Sequence, residues 1–218
     1  MRGKGPDDRP EAEGLPARRR VNKDDVLRAA TRLFAERGYE GLSMGDLAEH
    51  LGLRKASLFH HFPTKEILYA QVVGVLVVAV QEAITNVLGS SAPTVEKLDA
   101  LSDVLTRTLG EHPHAARLFV GEAVHGSALM QHALRAQVDA QLEAAREFVR
   151  AGQREGVFDR ELDPTHVVLT VVSAVFLPFA LEEMVERFAG TLPRHPAFVG
   201  ARTVAIREQL RRMLGVRA

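Results

Sequence analysis

The 218-residue chain contains no cysteine, carries no net charge and has no long apolar run. Without thiols, neither a disulfide framework nor a thiolate metal site can form, and a reducing cytoplasm is the compartment this suits. The 28 Lys+Arg balance 28 Asp+Glu, so the chain is not built to coat nucleic acid indiscriminately, and any anion-binding surface must come from local clustering. The most apolar stretch, Val72 to Val80, is well short of the roughly 20 residues a membrane span needs. The start, Met1-Arg-Gly-Lys-Gly-Pro, lacks the apolar core of a signal peptide, and no membrane partner is expected.

Signatures of catalysis are missing too. There is no phosphate loop, no dinucleotide glycine pattern, no nucleophile elbow and no His-Glu-x-x-His. Of nine histidines, the adjacent His60 and His61 diverge by about 100° on a helix. The positions His112, His114, His125, His132, His166 and His195 follow no two-ligand spacing tied to carboxylates. Neither an enzyme, a cofactor nor a metal site is expected.

What is present is a soluble globular composition, 46% hydrophobic and 26% charged, long enough for one large or two small domains. Up to Glu66 the chain has 13 Lys+Arg against 11 Asp+Glu, and beyond it 15 against 17. This small asymmetry has the sign that DNA binding requires. Residues 1–21 offer too little apolar surface to order themselves and are expected to form a disordered arm. Arg18-Arg19-Arg20 within it can be a solvated tail or an arm that reaches phosphates.

Asn22 is a good N-cap for a first helix, with Val26, Ala30, Leu33 and Phe34 at helical spacing and Gly38 placed to end it. Ser43 with Asp46 reads as a capping box for a second helix, and Gly52 as the turn after it. A short third helix, Arg54 to His61, carries Arg54, Lys55, Ser57, His60 and His61 around one apolar anchor, Leu58. Phe62-Pro63 stops it. A helix, a glycine turn and a short donor-rich helix describe a helix-turn-helix whose second member suits the DNA major groove.

From about Val26 to Leu68 the chain resembles the TetR family of transcriptional regulators. The resemblance is carried by Leu33-Phe34-Ala35-Glu36-Arg37-Gly38-Tyr39, Ser43-Met44, Asp46-Leu47-Ala48, Leu51-Gly52 and Lys55-Ala56-Ser57-Leu58-Phe59-His60-His61-Phe62-Pro63-Thr64-Lys65-Glu66. Leu42, Arg54 and Phe59 depart from it, standing where threonine, serine and tyrosine are common; Phe59 lacks the hydroxyl that would bond a phosphate. The resemblance implies that DNA is contacted by Ser43, Met44, Arg54, Lys55, Ala56, Ser57, Phe59, His60 and Lys65. Ser43 and Lys65 lie at helix starts, where backbone N–H groups already favour phosphate.

Thr64 caps a long, mostly apolar helix that runs to about Leu88 and links the head to the rest. Past Gly89-Ser-Ser-Ala-Pro93, helices are read at 95–109, 115–125, 128–154, 163–188 and 197–214. The fold expected is all-α: a three-helix helix-turn-helix head, 22–66, joined by the long helix to a helical ligand-binding and dimerisation domain, 67–218. Pro178 inside a helical run is expected to bend it. The bend is either packing around a neighbour or the opening of a pocket for a small apolar effector, for which Phe119, His125, Phe148, Phe176 and Phe179 are the candidates. The last two helices either close a monomeric core or, as the resemblance implies, form a homodimer through Val171, Val175, Val199, Ile206, Leu210 and Met213. The function implied is a ligand-responsive regulator, in the family's habit a repressor, on a palindromic DNA operator. The alternative is a helical ligand- or partner-binding module whose head no longer reads DNA.

Overall fold

The structure, a computed structural model, describes residues 21–125 and 134–216. Of the expected arm, residues 1–21, all but Val21 lie outside the described residues, Arg18–Arg20 included, as does His132; Val21 packs against the head core. Among the described residues, ten helices and no strand are found.

Helices α1 (Lys23–Arg37), α2 (Met44–His50) and α3 (Lys55–His61) form the head. Two reciprocal capping boxes start the first two. Asp25 N donates to Asn22 Oδ1 at 2.8 Å and Asn22 N to Asp25 Oδ2 at 3.1 Å. Asp46 N donates to Ser43 Oγ at 3.1 Å and Ser43 N to Asp46 Oδ2 at 3.0 Å. Each box satisfies N–H groups that a helix start leaves free. The turn between α2 and α3 needs Gly52 at φ 64°, a backbone conformation that side chains disfavour. Leu58 and Phe62, both at 0% exposure, plug α3 onto Val26, Ala30, Leu33 and Leu47. Burying each such side chain contributes about 1.5–3 kcal/mol, which a seven-residue helix does not gain from its own hydrogen bonds.

The long helix α4 (Lys65–Leu88) has 24 residues. By length and composition it could cross a membrane. Its apolar side chains are instead shared between two cores. Leu68, Tyr69, Val72, Val73 and Val77 complete the head core, while Leu76 and Val80 belong to the body core. One rigid element thus takes part in both.

The body comprises α5 (Thr94–Glu111), α6 (Pro113–His125), α7 (Arg135–Arg154), α8 (Pro164–Ala180), α9 (Glu182–Ala189) and α10 (Pro196–Met213). The start of the helix expected over 128–154 lies outside the described residues. The helix expected over 163–188 is two helices, α8 and α9, meeting at 83°. The break falls at Leu181, whose φ of −107° and ψ of 51° leave the helical region, three residues after Pro178. Helix α10 packs mainly on α5, where Arg211 Nε donates to Asp99 Oδ1 at 2.8 Å and Arg207 pairs with Asp103 one turn away.

Candidate functional site

Two features stand out, one on the head and one in the body. On α3 the side chains of Arg54, Lys55, Ala56, Ser57, Phe59 and His60 are all exposed, on a helix held from behind by buried Leu58. Arg54 is the N-cap residue but makes no capping hydrogen bond, so its guanidinium is not committed to the helix start. Lys55 lies across the start of α2: a Cβ at Gly45 would sit 2.7 Å from Lys55 Cε. Gly45 is therefore part of this surface, a role visible only once α2 and α3 are packed.

Ser43 is exposed at the start of α2, and its oxygen already accepts the capping bond, leaving its O–H as donor. The bond with Ser43, together with Arg37 and Lys55 nearby, holds the Asp46 carboxyl below its ordinary value. Lys65 starts α4, with its ammonium 4.1 Å from the centroid of the Tyr39 ring. The Tyr39 hydroxyl donates to Glu66 Oε1 at 3.1 Å, so an aromatic ring fixes the direction of that lysine. Met44 corrects the expectation. Its side chain is buried in the head core, and only its backbone at the helix start is placed to meet a ligand.

In the body a cavity of about 320 Å³ opens among α4, α5, α6, α7, α8 and α10. Phe119 and Phe176 meet there with ring centroids 5.7 Å apart, and Phe148 also lines it. Phe179 does not: it is buried in the core, edge-on to Phe198. The side chain of His125 lies outside the described residues. Sequence reasoning missed Gln141, Ser102 and the aliphatic wall from α8, because no local pattern separates cavity-lining from core residues in an apolar helix.

The residues expected at a dimer interface are mostly turned inward. Val175, Ile206 and Leu210 are buried within the single chain, Val171 and Val199 pack against its core, and Met213 is half-buried there. Val171, Val175 and Leu210 line the cavity. The exposed apolar side chains of the same helices are others: Leu169 and Leu177 on α8 and Val204 on α10. The error is one of helix face, since an apolar helix gives no hint of which side its neighbours cover.

The connection between head and body is itself polar and buried. Tyr69 on α4 donates to Glu122 Oε1 on α6 at 2.6 Å. The Tyr69 ring packs against Phe34 and Tyr39 of the head, with centroids at 4.9 and 4.8 Å. Phe119 and Ala123, on the same helix as Glu122, line the cavity. The Tyr69–Glu122 bond thus joins the cavity wall to the head core, alongside α4, whose apolar side chains enter both cores.

The family pattern described as "Bacterial regulatory proteins, tetR family" matches residues 26–72. A second, "Tetracyclin repressor-like, C-terminal domain", matches residues 95–208, more than half of the chain. The chain belongs to the TetR family. It is accordingly a DNA-binding transcriptional regulator and not an enzyme. Among its relatives, the biofilm operon icaADBC HTH-type negative transcriptional regulator IcaR of Staphylococcus aureus is 41% identical over 49 residues, 22% of this chain and 26% of that one. The transcriptional repressor KstR2 of Mycolicibacterium smegmatis is 30% identical over 106 residues, 49% of this chain and 50% of that one. The matched stretch therefore spans a quarter to a half of these relatives. Of solved TetR-type structures, PfmR from Thermus thermophilus superposes with a TM-score of 0.70 at 25% identity, covering 88% of this chain and 98% of that one. AibR in complex with isovaleryl coenzyme A and operator DNA superposes with a TM-score of 0.68 at 18% identity, over 89% and 98%.

Proposed function

We propose that this regulator is a homodimeric repressor that binds a palindromic operator and leaves it when a small, largely apolar effector enters the body cavity. The observation that carries the reading is the pairing of an exposed donor-rich α3 with an apolar cavity whose walls include α4, the helix that completes the head core. The relatives IcaR and KstR2 are named as a negative regulator and a repressor, and AibR was crystallised with both an acyl-coenzyme A and its operator. Dimerisation is supported by the apolar side chains left exposed on α8 and α10, and by Met184 and Phe188 on α9, the latter 94% exposed. One head spans a few base pairs, so two heads related by a two-fold axis supply the length of operator that specificity needs.

The DNA contacts follow from the exposed surface. Lys55, Ser57 and His60 face the groove, with Ala56 and Phe59 packing beside them. Ser43, the Met44 backbone and Lys65 clamp phosphates from helix starts. Arg54 reaches a guanine edge, a contact worth about 1–3 kcal/mol of discrimination. Release requires that the effector bind the DNA-incompetent arrangement more tightly, because only differential affinity moves the equilibrium. The route from cavity to head is α4 and the Tyr69–Glu122 bond.

Fluorescence anisotropy on DNA flanking the regulator's own gene, titrated with salt and random competitor, tests this. Binding that survives competitor and saturates at one dimer per palindrome is expected. Arg54→Ala should relax sequence preference. A uniform loss with a smaller salt slope would move Arg54 to a phosphate, and binding abolished by competitor would overturn the operator reading.

A further inference from the structure

The inference rests on the reading of the body cavity as an effector site and concerns what that site admits. Among its described lining residues none is charged, and only Ser102 and Gln141 are polar. Ser102 Oγ donates to the Leu98 carbonyl of its own helix at 2.8 Å, which leaves its oxygen as an acceptor. Gln141 Nε2 donates to the Val77 carbonyl of α4 at 3.0 Å. An amide nitrogen carries two hydrogens. The bond to Val77 occupies one and fixes which end of the amide faces α4. What the described lining residues have left for a ligand is thus one N–H, two oxygen acceptors and a hydrocarbon wall.

An anion entering this space gives up its hydration and meets no cation among the described lining residues; a cation meets no carboxylate among them. Either transfer is strongly unfavourable. A ligand oxygen without charge loses far less, and the free N–H of Gln141 recovers most of it. The volume, about 320 Å³, is that of on the order of ten water molecules and accommodates a fused two-ring hydrocarbon. We infer that the effector is a neutral, predominantly hydrocarbon molecule bearing a carbonyl-type oxygen, and that Gln141 is the residue that selects that oxygen.

The test uses the purified full-length regulator and N-phenyl-1-naphthylamine, a neutral probe that fluoresces in apolar surroundings. Naphthalene, 2-acetylnaphthalene and 2-naphthoate are then compared as competitors at a pH of about 8, where a carboxyl group is ionised. The ketone should displace the probe about tenfold or more better than the carboxylate, a gap of roughly 1.4 kcal/mol or more. In Gln141→Met it should fall to the level of naphthalene, whose own binding stays as in the wild type. A carboxylate as effective as the ketone on the wild-type protein overturns the neutral class, whether or not the variant folds. A ketone preference that survives Gln141→Met overturns the role of Gln141. Probe that fails to bind at all is a different result, since it removes the effector site itself and the inference with it.

Discussion

Arg202 on α10 donates a hydrogen bond of 2.6 Å to the Ala174 carbonyl on α8, the carbonyl that Pro178, four residues on and without an N–H, leaves unpaired. A helix defect is thus filled from a neighbouring helix, and the two are tied together at that point. The arrangement is costly to Arg202, whose guanidinium is half-buried and pushed to a lower pKa by that burial, with Nε buried and unpartnered. Replacing it with a neutral chain, Arg202→Met, leaves the carbonyl unmet and should lower stability by on the order of 1–3 kcal/mol in urea unfolding. Pro178→Ala returns the N–H, so in that background Arg202→Met should cost less, with a coupling of at least about 0.5 kcal/mol. Strictly additive effects would mean that the bond is incidental.

Gly152 on α7 is buried under the Phe158 ring: a Cβ there would stand 2.1 Å from a ring carbon. Phe158 is held edge-on to Phe148 at 5.6 Å, and Phe148 lines the cavity. Gly152→Ala should therefore cost about 1–3 kcal/mol as an overpacked site and weaken ligand binding through Phe148. Unchanged thermal unfolding would show that Phe158 moves aside freely.

The two tyrosines of the chain both keep their protons beyond the ordinary value of 10.0. Burial, then the Glu66 hydrogen bond and charge, push Tyr39 up to about 12. Burial and the bond to Glu122 push Tyr69 higher still. Above pH 10 the unfolded chain loses phenolic protons that the folded chain retains. The tyrosines' contribution to stability is therefore complete below pH 10 and is lost as pH rises through the folded values. Tyrosinate absorbance, free of tryptophan overlap in this chain, checks this directly. Both residues titrating near 10 in folded protein would contradict it.

Leu177 and Ile206 separate the exposed from the buried face of the terminal helices, at 46% and 0% exposure. Leu177→Glu should leave the monomer folded while shifting sedimentation to the monomer and weakening operator binding. Ile206→Ala should destabilise the fold itself by about 2–5 kcal/mol. A Leu177→Glu protein that remains dimeric would place the subunit contact elsewhere.

The head was legible because its instructions are local. Asn22 with Asp25, Ser43 with Asp46, Gly52, and Phe62 before Pro63 each act over a few residues, so chain order carries them without knowledge of packing. The long helix from Thr64 was legible for the same reason, through its cap. In the body, by contrast, composition set that α8 and α10 are helical and apolar but not which side of each is covered. Val175, Ile206 and Leu210 point inward only because α5, α7 and the cavity lie on that side, and Met44 is buried only because the head helices close into one core. The break at Leu181, the Arg202 bond to Ala174 and the turn of Gln141 toward Val77 were equally hidden; the two hydrogen bonds join residues 28 and 64 positions apart. Contacts at that range are chosen by the whole packing, so the sequence by itself determined the reading head and the helical class. The tertiary structure alone decided the cavity and the faces around it.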